Sequence, residues 1–342
     1  MHQECKEDLM KLNKKFSAGE FLRNNMAWVL LAVCCLIFGV ISPNFFSLVN
    51  IINILNQNAY IIITALGISF IMMSGEVDIS VGYAISLNGV VIALLMTKFG
   101  MSPVVAVIVA VLLGIVLCLV NMLIAYKLKL QLFMATVGTS TIFQGLAFVM
   151  TQSKTISNLP PSFKIIGQGY IGIIPIPVAI ALVLLIVVSF ILNKTYVGRY
   201  VFAIGGNVEA ARLAGINVFG MKIFIASIAG FMTGIGAIIL SARLGSVTAN
   251  MGTGLEFTII TAVLLGGVSV RGGEGKISGV VAGVLILAIL SNGMQLARLD
   301  VYYQFVAKGI IMLAAIGFDV YQLNRRKKIT IKTQGGKENI KD

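Results

Sequence analysis

Two clusters of glycine and charge interrupt apolar stretches of this 342-residue chain, and they are where chemistry would lie. They read Ser74-Gly75-Glu76-Val77-Asp78-Ile79-Ser80-Val81-Gly82 and Gly266-Gly267-Val268-Ser269-Val270-Arg271-Gly272-Gly273-Glu274-Gly275-Lys276. An ionised carboxylate between apolar segments is expensive unless it is hydrated, paired or set at the start of a helix. Glu76 and Asp78 stand at such a junction. Paired interruptions of this kind in a transporter mark broken helices along the substrate path, where freed backbone groups face water or ligand. Two tight cytoplasmic turns would read the same way. Asp78 followed by Ile79 and Ser80 would equally serve as a helix cap.

Other polar residues stand alone on apolar segments: Asn56, Gln57, Asn58, Asn88, Thr139, Ser140, Gln144 and Asn292. Each could hydrogen-bond a small polar solute such as a sugar in a central path, or bond a neighbouring helix. Lys308 sits about two turns inside the last apolar segment, where a long stem lets the ammonium snorkel outward or pair internally; a structural role is expected. Covalent chemistry has no candidates. The sole histidine is His2, which removes histidine-based zinc and hydrolase constellations. Gly275-Lys276 lacks the spacing of a phosphate loop and is followed by Ile277. If ATP powers this protein, another chain binds it. Cys5, Cys34, Cys35 and Cys118 form neither a CxxC motif nor a paired framework.

The elements that must position these residues are membrane spans. The chain is 58% hydrophobic and 11% charged, more apolar than a soluble core of this length could hide. Ten candidate spans cover Ala27 to Ile41, Ile51 to Met73, Ile79 to Thr97, Pro103 to Tyr126 and Leu132 to Thr151. They continue with Ile173 to Leu192, Ile223 to Ala242, Phe257 to Val270, Ile277 to Leu296 and Val301 to Val320. The first has no cleavage site before Pro43 and reads as a retained span. The eighth is too short for a simple crossing. Gly230-xxx-Gly234 and Gly279-xxx-Gly283 read as close helix packing.

Net charge of +13 would suggest nucleic acid on a soluble surface, but here the basic residues sit in tails and short loops. With the amino terminus in the cytoplasm, twenty of the 26 lysines and arginines fall inside, five fall outside and Lys308 lies within a span. That bias supports cytoplasmic tails at both ends. Segment 1–26 is then a cytoplasmic amino-terminal stretch, 27–322 the transmembrane domain and 323–342 a polar, lysine-rich tail without apolar periodicity, expected to be disordered. The external loop from Gln152 to Gly172 is either a solvated connector or a docking surface.

The cytoplasmic loop at 193–222 differs in kind. Asn207 is placed to cap a helix running from Val208 to about Ala214, with Gly215 ending it. A short exposed helix of small residues carrying Glu209 and Arg212 suits a groove on a soluble partner. An ordinary surface helix is the plain alternative.

From about Ser42 to Lys308 the chain resembles the permease subunits of bacterial ribose-type sugar ABC importers, a group that includes branched-chain amino acid permeases. Three pieces carry the resemblance: Gly75 to Gly82, the Gly198-Arg199 to Val218 loop, and Glu256 through Gly273 with its Gly-Gly-x-Ser-x-x-Gly-Gly core. Glu209-Ala210-Ala211, followed by Arg212 and then Gly215, is similar to the signature with which such permeases dock their ATPases. The resemblance implies an all-α polytopic membrane protein of about ten transmembrane helices, some discontinuous, in two related halves. It implies alternating-access import of a monosaccharide. The implied partners are a second permease, a cytoplasmic ATPase holding ATP and Mg, and an extracytoplasmic sugar-binding protein, all at the bacterial inner membrane. No cofactor on this chain and no nucleic acid are expected.

Two departures from the family's pattern stand out: Glu76 replaces a frequent glycine, and Thr258 stands where an acidic residue is frequent after Glu256. The expected path residues are Asn56, Gln57, Glu76, Asp78, Ser80, Asn88, Thr139, Gln144, Gly266, Gly267, Ser269 and Asn292. Rival readings are a permease for an amino acid or another small polar solute, and a self-sufficient secondary transporter using Asp78 or Glu76 as proton carriers.

Overall fold

A computed structural model describes residues 25–300 and 302–317. The expected cytoplasmic stretch up to residue 24 and the tail at 323–342, for which disorder is the expectation, lie outside the described residues, as do Val301 and residues 318–322. The described chain is helical apart from one two-stranded hairpin, Tyr170–Ile171 with Ile174–Pro175. The helices are α1 Met26–Ile41, α2 Leu48–Met73, α3 Val81–Thr97, α4 Pro103–Lys127, α5 Leu132–Thr151, α6 Pro161–Gln168 and α7 Ile176–Lys194. They continue with α8 Tyr196–Gly206, α9 Val208–Leu213, α10 Val218–Leu244, α11 Leu255–Leu265, α12 Ile277–Leu296 and α13 Tyr302–Gly317. Six of them (α2, α4, α5, α7, α10 and α12) are long and apolar enough to cross a membrane; α1, α3, α11 and α13 are shorter apolar helices.

Helix α2 is the axis of the bundle. Its residues from Ala59 to Met73 are all buried, because neighbours surround it on every side, chiefly α10, α12, α7 and α11. A helix apolar all round belongs in such an interior. Helix α10 lies between α2 and α4, and its backbone reaches α4 through small residues: Gly230 meets Gly114, and Gly234 meets Ala110 and Val111. On α12, Gly279 meets Gly266 and Gly283 meets the Ala262 carbonyl. Both small-residue pairs read from the sequence are therefore helix contacts, the geometry that lipid-embedded helices use to gain packing. By contrast α1 buries none of its residues and presents Trp28, Leu36 and Val40 outward.

Two long helices are each followed by a break and then a short helix. Helix α2 has 26 residues, 74–80 are non-helical, and α3 has 17. Helix α10 has 27 residues, 245–254 are non-helical, and α11 has 11. At 1.5 Å per residue α3 rises about 25 Å and α11 about 16 Å, both short of a hydrocarbon layer of about 30 Å. Each crossing is thus part helix and part non-helical chain. The sequence reading paired the break at Ser74 to Gly82 with Gly266 to Lys276; in the structure its counterpart is 245–254. That second break carries serine, threonine, asparagine and glycine but no charge after Arg243, so a search for charged interruptions passes over it.

Several boundaries shift for local reasons. The third span begins at Val81 and not Ile79, because the Asp78 carboxylate holds the Ser80 N–H in a turn ahead of the helix. The eighth is Leu255–Leu265, ended at Gly266. The tenth is described as Tyr302–Gly317. The loop from Gln152 to Gly172 is more than a bare connector: it folds into α6, whose Phe163 is fully buried, and Ile156 exchanges two 2.8 Å backbone hydrogen bonds with Val247. The loop at 193–222 contains α8 as well as α9, and α10 already begins at Val218.

Candidate functional site

Three places gather the polar residues. The first is where the two broken crossings meet. Asp78 is 1% exposed, and its Oδ1 accepts from the Ser80 N–H (2.8 Å) and the Ser80 hydroxyl (2.7 Å). Asn121 of α4 donates to Ser80 Oγ (2.7 Å) and, at 3.5 Å, to Asp78 Oδ2. Thr136 of α5 accepts from the Ile79 N–H. Glu256, 2% exposed, accepts from the Gly254 N–H at the start of α11. A buried acid costs least beside freed N–H groups and the positive end of a helix, and Asp78 and Glu256 each occupy that position. The two helix starts are in contact. The Gly252 N–H donates to Ser86 Oγ of α3 (2.8 Å), and a Cβ on Gly82 would overlap both the Glu256 carboxylate and the Gly252 carbonyl.

The second place lies at one end of the bundle. The Gly273 N–H donates to the Met73 carbonyl (2.8 Å), so the two charged interruptions found in the sequence touch. Beside them Lys222, in the second turn of α10, pairs with Glu76 (Nζ to Oε1, 2.5 Å), and Glu76 Oε2 accepts from the Leu132 N–H at the start of α5 (3.2 Å). One carboxylate ties the break after α2 to two helices, α10 and α5. Both side chains are about four-fifths buried. Glu76→Gln is expected to lower stability by about 1–3 kcal/mol, the cost of a lost charge-assisted bond and a stranded lysine. Thermal melts of Glu76→Gln, Lys222→Met and the double variant would measure the coupling, with the double variant no worse than Glu76→Gln.

The third place is a cavity of about 260 Å³ toward the opposite end of the bundle. Helix α2 supplies Gln57 and Asn58, α10 Arg243, α11 Thr258, α12 Ser291, Asn292 and Gln295, and α13 Gln304 and Lys308. A narrower annex, lined by Thr258, Ala262, Val284 and Lys308, continues from it. Asn50 and Asn292 exchange reciprocal amide hydrogen bonds of 3.0 and 2.9 Å, tying α2 to α12 at its rim. Arg243 donates to the Gln57 carbonyl (3.2 Å). Convergent amides, hydroxyls and cations on a partly apolar wall suit a small hydroxylated solute, in a cleft near the small end of the usual 300–1,000 Å³.

Residues 50–316 match the family described as branched-chain amino acid transport system / permease component. The chain belongs to that family. It is also similar to the ribose import permease protein RbsC of Haemophilus influenzae, 35% identical over 310 residues that make up 90% of this chain and 96% of that one. The Bacillus subtilis protein of the same name is 37% identical over 292 residues, 84% and 90% of the two chains. The L-arabinose transport system permease protein AraH of Escherichia coli is 35% identical over 314 residues, 92% and 95%. No solved structure matches the chain.

In this permease the path residues expected from the sequence separate. Gln57 and Asn292 line the cavity. Glu76 lies at the other end in its ion pair, and Asp78 and Ser80 are locked in the buried network with Asn121. Asn88 donates to the Ala110 carbonyl and joins α3 to α4. Thr139 bonds back to Thr136 within α5, where Gln144 is half-buried. Gly266 and Gly267 end α11, and Ser269 caps the turn at Arg271. Asn56 keeps a buried carbonyl oxygen without a partner among the described residues. The sequence reading missed Arg243, Ser291, Gln295 and Gln304, and set Lys308 aside as structural. Gln304 and Lys308 are four residues apart, one face of one helix, which was the available signal.

Proposed function

We propose that this chain is the membrane-spanning permease subunit of an ATP-binding cassette importer and moves a monosaccharide, a ribose-like simple sugar, across the bacterial inner membrane by alternating access. The match to ribose and arabinose permeases over nine-tenths of the chain supports the substrate class. The observation that carries the motor is α9. Asn207 Oδ1 accepts from the Ala210 N–H (2.9 Å), and Ala211 is the one buried residue of the helix. Glu209 and Arg212 are exposed and pair along it, and Leu213 is 89% exposed. A capped helix offering one bare leucine beside a pair of opposite charges is shaped for a soluble partner's groove.

The partner would be a cytoplasmic ATPase that holds ATP and Mg itself; a second permease and an extracytoplasmic sugar-binding protein complete the machine. Both termini then lie in the cytoplasm with α9. Closure of the ATPases would push on α9 and on the start of α10, three residues past Phe219 of which is Lys222. Through Glu76 that push reaches the break between α2 and α3 and the start of α5, the elements that would switch access. Leu213→Glu tests the docking. ATPase co-purified with the tagged permease should fall at least about tenfold, with membrane yield unchanged. Undiminished capture would remove α9 as the docking element.

A further inference from the structure

We propose that the cavity between α2, α11, α12 and α13 selects an anionic monosaccharide, one bearing a carboxylate or a phosphate, through Arg243 and Lys308. The proposal rests on the import reading above and narrows its substrate. The titratable groups lining the cavity are Tyr60, Arg243 and Lys308, and none of its lining residues is acidic. The nearest acid along the chain, Glu256, faces away: it accepts from Gly254 and lies against Gly82, while Leu255 and Thr258 on either side of it turn toward the cavity.

Neither cation has an ion-pair partner among the described residues, and Lys308 is half-buried in an apolar helix. Removing an ammonium from water without a counter-charge is costly, and an anionic solute would supply that charge. Arg243 spends one N–H on the Gln57 carbonyl and has four more donors in a planar fork that fits an oxyanion. Gln304 points the same way. It is 6% exposed, lines the cavity one turn from Lys308, and its amide nitrogen has no acceptor among the described residues. Thr258 shares the annex with Lys308 and offers a hydroxyl where a carboxylate would neutralise the lysine. The side chains of Asn58 and Ser291 remain to meet sugar hydroxyls.

The test is equilibrium binding to the full chain in lipid nanodiscs, with D-ribose, D-ribonate, D-ribose 5-phosphate and L-leucine as probes. At least one of the two anions should bind about tenfold or more tightly than ribose, the worth of a charge-assisted contact; which one it is separates carboxylate from phosphate. Thr258→Asp should shrink that ratio toward one, Lys308→Gln should do the same, and Lys308→Arg should keep it, all judged on samples that stay monodisperse. Ribose bound as tightly as both anions, a ratio unmoved by Thr258→Asp, or no binding of any probe would overturn the proposal and leave the import reading standing. Leucine bound with no sugar bound would overturn both.

Discussion

Gly215→Phe is expected to reduce ATP-driven uptake to background while the protein still inserts and folds. Gly215 sits at φ +83°, where it closes α9: its N–H donates to the Arg212 carbonyl and the Ile216 N–H to the Ala211 carbonyl. That pair of hydrogen bonds is the Schellman end of a helix, and it needs the left-handed backbone that costs a side chain about 1–2 kcal/mol. A six-residue helix has little else to hold it. Nothing lies within 4 Å of a Cβ at this position, so phenylalanine meets no neighbour in the permease itself. The damage falls on the surface that α9 presents. Uptake by cells expressing the variant with its ATPase, set against the amount of permease in the membrane, checks this. Normal uptake would refute a coupling role for α9.

Gly252→Val should have the largest effect on the fold itself. A Cβ there overlaps the Gly82 carbonyl and crowds Ser86 Oγ, whose hydrogen bond from the Gly252 N–H joins the two broken crossings. Overpacking costs about 1–3 kcal/mol and a stranded buried donor about as much again. Neither neighbour can yield cheaply, since one is backbone and the other is anchored in α3. Gly145→Ala is the matched control: its Cβ meets nothing, and alanine is the better helix former by about 1 kcal/mol. Size-exclusion profiles and melting of purified protein should show Gly252→Val aggregated or melting well below the parent, with Gly145→Ala unchanged or higher. Equal behaviour of the two would mean that the helix starts do not cross as described.

Much of this architecture is written in local chemistry. The capped helix at Val208, its end at Gly215 and the small-residue contacts of Gly230 and Gly283 follow from spacing and residue type alone. So does the short eighth segment, because the stretch from Phe257 to Val270 is too short for a simple crossing. The second break was harder to read. Within 245–254, Val247 pairs with the loop before α6 and Gly252 with α3, partners distant in sequence, and no charge marks the place. The cavity was harder still. Gln57 and Asn292 looked no different from Asn88, and only tertiary packing turns the first two toward open space and the third onto a carbonyl of α4. Lys308 read as a snorkelling side chain, since one helix cannot show that α2, α11 and α12 leave a hollow beside it.

The docking proposed for α9, the charge link through Glu76 and Lys222 and the crossing of two broken helices all serve one claim: an external motor drives this permease. Proteoliposomes containing the chain alone, or the chain with its co-purified ATPase and an extracytoplasmic binding protein, measure it directly through uptake of labelled sugar. The account predicts uptake only with all components and ATP. Sustained uptake by the chain alone, driven by a proton gradient and lost in Asp78→Asn, would contradict it.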